Sequence, residues 1–179
     1  ISEDVESRDS IWELTRARLP WLLIGMLGGI FGAKVIGIFD LERNFELAFF
    51  IPLIAAMGGN VGVQSAAIVV QGLANDSLKM ENLFQKLLKE LGVGLLNGII
   101  CSILILASTF ALGYSLELSC TVSISLLVVI IFAALFGTFT PLTLEKYNID
   151  PALATGPFVT TVNDILGLLI YFSIGKAIL

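Results

Sequence analysis

Histidine is absent from the 179 residues, and cysteine occurs only twice, as Cys101 and Cys120. Without a Cys and His set there are no ligands for haem or tetrahedral zinc, so any metal the chain handles must be met by oxygen. Charge is scarce too, at 14% of residues, and it leans acidic, with 10 Lys and Arg against 15 Asp and Glu. A net charge of -5 leaves no basic footprint for nucleic acid, which is excluded as a partner. Period-two alternation is also missing, and with it the strands of a membrane barrel. The first residues lack the basic, apolar and small-residue order of a signal peptide and do not open with Met, so the chain is expected to begin inside a longer protein.

What is abundant is apolar residues, 56% of the total, with a mean hydropathy of +0.94. They fall in runs of about 20 residues or more, the length that crosses a hydrocarbon slab of ~30 Å. Five spans are expected, at about 19–39, 47–74, 91–115, 117–144 and 152–178. The fold class is therefore an all-α integral membrane protein, with the lipid bilayer as its solvent. Residues 1–18 place Trp12 and Leu14 beside Arg8, Arg16 and Arg18, which suits a juxtamembrane amphipathic helix leading into a membrane domain over 19–179.

Lys and Arg are distributed unevenly between the two sides. Arg8, Arg16, Arg18, Lys79, Lys86, Lys89 and Lys146 fall on one side, while Arg43 and Lys176 fall on the other and Lys34 lies near a span end. The positive side faces the cytoplasm, so the N-terminus is expected inside and the C-terminus outside an inner (plasma) membrane. The link DSLKMENLFQKLLKEL puts Leu83, Phe84, Leu87, Leu88 and Leu91 on one helical face and is expected to lie along the cytoplasmic interface. The link around Tyr114 to Glu117 is so short that the third and fourth spans must form an antiparallel hairpin.

Polar groups inside a span are costly, so their positions are informative. The second span, IPLIAAMGGNVGVQSAAIVVQGLA, contains Gly58, Gly59 and Gly62, with Asn60, Gln64 and Ser65 among them. Asn60, Gln64 and Gln71 share a helical face at spacings of four and seven. Two readings fit: a seam that holds helices together, or a surface against which a hydrated ion can come close. The fifth span carries the deepest carboxylate, Asp164, in a stripe with Gly156, Pro157, Thr160, Gly167 and Tyr171, flanked by Thr161 and Asn163. An ionised Asp facing lipid costs about 3 kcal/mol or more, so it must meet water, a cation or a partner.

Lys34 is the one lysine placed to offer Asp164 an ion pair. It sits near the outer end of its span, however, whereas Asp164 is expected about 10 to 18 Å in from the inner end of its own. Pro157 lacks an N–H and disfavours helix in the residue before it, which is expected to free carbonyls between Leu153 and Gly156. Cys101 and Cys120 read as small packing residues, and Ser102, Ser108, Thr109, Ser123 and Ser125 as groups bonded mostly within their own helices.

The stretches PLIAAMGGNVGVQSAAIVVQGLA and DPALATGPFVTTVNDILGLLIYF resemble the two most distinctive segments of the membrane domain of MgtE-type magnesium transporters, shared with eukaryotic solute-carrier relatives. The resemblance covers essentially the whole chain. It implies a homodimeric Mg2+ channel whose pore follows the two-fold axis and is lined by the second and fifth helices of both protomers. Asp164 would hold hydrated Mg2+, helped by the backbone carbonyl of Thr160. Asn60, Gln64, Gly58, Gly59, Gly62, Gly156, Pro157, Thr161 and Asn163 would line the pore. The family's cytoplasmic N-domain and paired CBS domains are not in this sequence, and residues 1–18 resemble the end of the helix that joins them to the pore.

This chemistry suits Mg2+, which keeps its oxygen shell at ~2.0 to 2.1 Å and sheds water reluctantly. Two facing Asp164 carboxylates would balance the charge of one dication, so other divalent cations are expected as competitors more than Na+ or K+. An ion-coupled divalent-cation exchanger would use the same aspartate, and a non-transporting scaffold would use the polar seams only to hold helices. An enzyme is excluded by the lack of a second carboxylate, a His or a nucleophile and base pair near Asp164.

Overall fold

Among the described residues, five apolar helices are each long enough to cross a bilayer, the architecture of a multi-pass membrane protein. The computed structural model describes residues 10–39, 45–75, 83–152 and 156–179. Helix α1 spans Ile11–Ile38, α2 Ile51–Ala74, α3 Leu83–Ala111, α4 Leu116–Lys146 and α5 Pro157–Ile178, and a short 3-10 helix over Phe45–Phe50 leads into α2.

Local sequence explains most of the boundaries. Ser10 caps α1 by accepting from the Glu13 N–H, while Glu13 reaches back to the Ser10 N–H at 2.8 Å, so two orphan donors are satisfied reciprocally. From there α1 continues unbroken to Ile38. The described end of the expected connecting helix is thus part of the first span, and residues 1–9 of it lie outside the described residues. At the other end of the bundle, α3 stops at Gly113, whose φ of +87° only glycine adopts easily. Tyr114 N–H bonds to Thr109 O and Gly113 N–H to Phe110 O, and Ser115 then caps α4, closing the expected antiparallel hairpin.

Two expectations change. The segment from Leu83 does not form a separate helix lying along the interface. With no proline or helix-stopping turn before the apolar run, it continues as the first turns of a 29-residue α3. Such a helix is about 43 Å long, so its Lys86 and Lys89 turns extend beyond a hydrocarbon core of ~30 Å. Residues 76–82 of that link are outside the described set. The fifth helix begins at Pro157, not near residue 152, because Pro157 takes the first helical position, where its missing N–H costs nothing.

Helix α4 is the centre of the bundle, packed against α2, α3 and α5 and buried along its length, from Leu118 through Val122, Val129, Ile130 and Ala134 to Leu142. Helix α1 leans chiefly on α5. The outer faces of α1 and α3 expose Leu22, Met26, Phe31, Leu96, Ile103 and Leu104, which water would penalise and lipid tails accept. Phe45–Phe50 is tied down by the buried Tyr171 hydroxyl of α5, which donates to Leu47 O at 2.9 Å.

Candidate functional site

Helix α5 is ringed by other helices, and each of its faces has a distinct neighbour. Thr161 meets α1, where a Cβ on Gly28 would fall onto its side chain, and Leu168 lies 3.8 Å from the Cβ position of Gly32. Helices α1 and α5 therefore ascend together. Gly167 faces Val129 of α4 at 3.5 Å. Towards α2 the order reverses, with Gly58 and Gly62 against Asn163 and Val159, so α2 and α5 are antiparallel.

Asp164 and Thr160 occupy the edge of that α2 contact, one turn apart on α5. A Cβ on Gly59 would lie 3.4 Å from Asp164 Oδ1 and 3.7 Å from Thr160 Cγ2, so the absent side chain leaves α2 backbone bare opposite the carboxylate. Asp164 is half-buried, about 10 Å along α5 from Pro157 at 1.5 Å per residue, and has no hydrogen-bond or ion-pair partner among the described residues. Lys34 does not pair with it. The α1 and α5 contacts put Lys34 beyond the level of Leu168, and its side chain is exposed.

The other expected residues separate into two groups. Asn60, Gln64 and Gln71 form an exposed polar stripe on α2, just past Gly59, on a helix whose remaining faces are apolar or packed. Gly58, Gly62 and Asn163 are enclosed by α2, α4 and α5 within the protomer. The Thr160 hydroxyl donates to Pro157 O at 3.0 Å, and its carbonyl lies in the regular α5 ladder with a second lone pair to spare. Gly156 is the extended residue before the helix, with Pro157 after it, both half-buried. Of the carbonyls expected to be free, those of Leu153, Ala154 and Thr155 lie outside the described residues.

Sequence reading passed over a second carboxylate. Glu90 of α3 is half-buried and accepts a 2.5 Å hydrogen bond from Ser65 of α2. It stands at the junction of a lysine-bearing segment and an apolar run, where sequence gave no reason to separate it from interfacial charge. No group of three or more His, Cys, Asp and Glu side chains comes together among the described residues. Around Asp164 the described residues thus offer a cation one carboxylate with nearby carbonyls and amides, and no octahedral shell of side-chain acids.

The chain was compared with known proteins. A family model described as the MgtE divalent cation transporter matches residues 51–174. A protein named magnesium transporter MgtE from Bacillus subtilis is 36% identical over 162 residues, which is 89% of this chain and 36% of the relative. Its namesake from Thermus thermophilus is 38% identical over 165 residues, 91% of this chain and 36% of the relative. The chain thus spans about 36% of the length of these relatives. With five membrane-crossing helices and a family match that takes in both the glycine-bearing α2 and the Asp164 segment of α5, the chain belongs to the MgtE divalent cation transporter family.

Proposed function

We propose that this domain passes hydrated Mg2+ across the membrane through a pore formed by two copies of the chain, with Asp164 from each copy holding the ion. One observation carries the reading: a half-buried carboxylate in the middle of an apolar helix, unpaired, facing bare glycine backbone. An unpaired charge there is costly in lipid, and a dication on the two-fold axis removes that cost for both copies at once. The exposed amides of Asn60 and Gln64 are equally unsuited to lipid and would bond to the ion's water shell. Gly59, Thr160, Gly156 and Pro157 complete the proposed lining. The identity of the ion is taken from the relatives, which are named as magnesium transporters.

Two carboxylates against one Mg2+ balance charge, which favours a dication over Na+ or K+, while the retained water shell avoids the dehydration Mg2+ resists. We place the N-terminus on the cytoplasmic side from the excess of Lys and Arg there. Cytoplasmic N and CBS domains, if this chain is the pore of a longer protein, would act on it through α1.

The test is Mg2+ uptake into proteoliposomes. Asp164→Ala is expected to bring uptake to the level of empty vesicles with the dimer intact, and Asp164→Asn to pass Mg2+ with weakened preference over Na+. Normal uptake by Asp164→Ala would overturn the reading. Gly59→Leu is expected to block conduction, since its side chain would enter the space held by Asp164 and Thr160. Uptake that persists without any counter-ion gradient separates the channel from a coupled exchanger.

A further inference from the structure

Asn163 is 1% exposed, and neither its amide nitrogen nor its carbonyl oxygen has a hydrogen-bond partner among the described residues. A polar side chain enclosed this completely normally satisfies both atoms, because desolvation is otherwise uncompensated. What surrounds it instead is a cast of its shape. A Cβ on Gly62 would fall onto Asn163 Nδ2 and lie 3.1 Å from its Cγ, and a Cβ on Gly58 would lie 3.7 Å from its backbone oxygen. From the other side, a Cβ on Gly137 of α4 would fall onto the Gly62 carbonyl oxygen. Bare glycine backbone thus lets α2 approach both α4 and α5 closely, with Gly58 against the Asn163 backbone and the flat Asn163 amide in the space that the missing Gly62 side chain leaves.

Asn163 immediately precedes Asp164, and successive residues of an α-helix are ~100° apart around the axis. A helix held by residue 163 is therefore also held in the direction that residue 164 faces. On α2, likewise, Gly59 follows Gly58. Seating Asn163 between Gly58 and Gly62 sends Asp164 to the neighbouring edge, over Gly59, where it is found.

We infer that Asn163 is a positioning residue: lodged in the notch between Gly58 and Gly62, it sets the rotation of α5 and so keeps Asp164 against Gly59. Its effect on transport rests on the reading of Asp164 as the ion site. Because no hydrogen bond anchors the amide, the seat is one of shape, and moving volume from one wall to the other tests it. Gly62→Ala expels the amide from the notch. Gly62→Ala combined with Asn163→Ala puts a methyl group on the α2 wall where the amide had been.

The experiment uses the full-length protein in proteoliposomes, with two readouts. The first is the Mg2+ concentration giving half-maximal uptake. Gly62→Ala is expected to raise it roughly tenfold, and the paired variant to return it to within about threefold of the parent, a coupling that independent sites do not show. The second readout does not depend on Mg2+ binding: the rate at which a small charged methanethiosulfonate reagent modifies Asp164→Cys, with Cys101 and Cys120 replaced by alanine. Gly62→Ala is expected to change that rate roughly tenfold and the paired variant to restore it.

Parent-like values for Gly62→Ala in both readouts, or a paired variant no better than Gly62→Ala, overturn the inference. If Gly62→Ala yields no folded protein, Asn163→Ala alone must shift both readouts, and parent-like values there overturn it as well. Thiol rates that follow the expected pattern while Asp164→Ala still takes up Mg2+ would uphold the positioning and remove only the ion-site reading.

Discussion

The α3–α4 hairpin and the α2–α5 seam both bring glycine backbone against a neighbouring helix, yet they differ in the polar groups held at the contact. In the hairpin, Ser102 donates to Ser123 O at 2.9 Å and Ser123 donates to Ser102 O at 2.8 Å, so two buried hydroxyls are satisfied reciprocally. Gly94 and Gly98 let the backbones approach, against Ala134 and Leu127. Across the α2–α5 seam, Asn163 has both polar atoms unpaired and Asp164 has no partner among the described residues. Closure in α4 is local to that pair, since the buried hydroxyls of Ser119, Ser125 and Thr138 have no partner among the described residues, at a cost in stability. What sets the α2–α5 seam apart is Asp164, an unpaired carboxylate at a half-buried edge that a ligand can still reach, whereas the enclosed Asn163 amide is closed to one. The Ser65 to Glu90 bond between α2 and α3 is closed in the same way as the Ser102 and Ser123 pair, which is why Glu90, a half-buried carboxylate near the end of α3, is a weaker candidate than Asp164.

The largest effect that would break this contrast is expected at Asp164. Its replacement by alanine should abolish uptake while thermal stability in detergent stays level or rises, since an unpaired charge is removed from a half-buried position. A fall in stability comparable to that of a core truncation would mean that the carboxylate belongs to a closed network after all. Next is Gly137→Leu. Its added side chain would meet the Gly62 carbonyl, a backbone atom that cannot step aside, so a loss of about 3 kcal/mol or more is expected, read as failure to recover a monodisperse protein. The smallest effect is expected in the hairpin. Ser102→Ala with Ser123→Ala should cost about 1 to 2 kcal/mol in thermal unfolding, with Mg2+ uptake per folded molecule unchanged. Altered uptake in that variant would show that the closed seam also shapes the pore.

Much of the bundle was legible because lipid imposes simple rules. Run length set the number of spans, the short link around Tyr114 to Glu117 forced the hairpin, and Asp164 stood out as a carboxylate several residues inside an apolar helix. Boundaries were harder. A proline strains a helix it interrupts and is free at the first position of one it begins, so Pro157 had two meanings until the start of α5 was known. The segment from Leu83 to Leu91 carries an apolar face that suits an interfacial helix and the first turns of a long span equally well.

Within the site, spacing put Asn60, Gln64 and Gln71 on one face and the family resemblance added Gly58, Gly62 and Asn163 to a single pore lining, but neither reports what a face meets. Packing divided them. Asn60 and Gln64 remain exposed on the chain, whereas Gly58, Gly62 and Asn163 close on one another under α4.

Composition and order of residues by themselves determined a five-helix membrane protein with oxygen-only chemistry and a buried acid, since apolar length and the cost of charge in hydrocarbon act on the chain locally. Only the tertiary structure decided that this acid meets bare backbone at Gly59 and misses Lys34, and that the residue before it is locked between two glycines. Those outcomes depend on the rotation and direction of helices far apart in sequence, which the packing of side chains sets and no local pattern encodes.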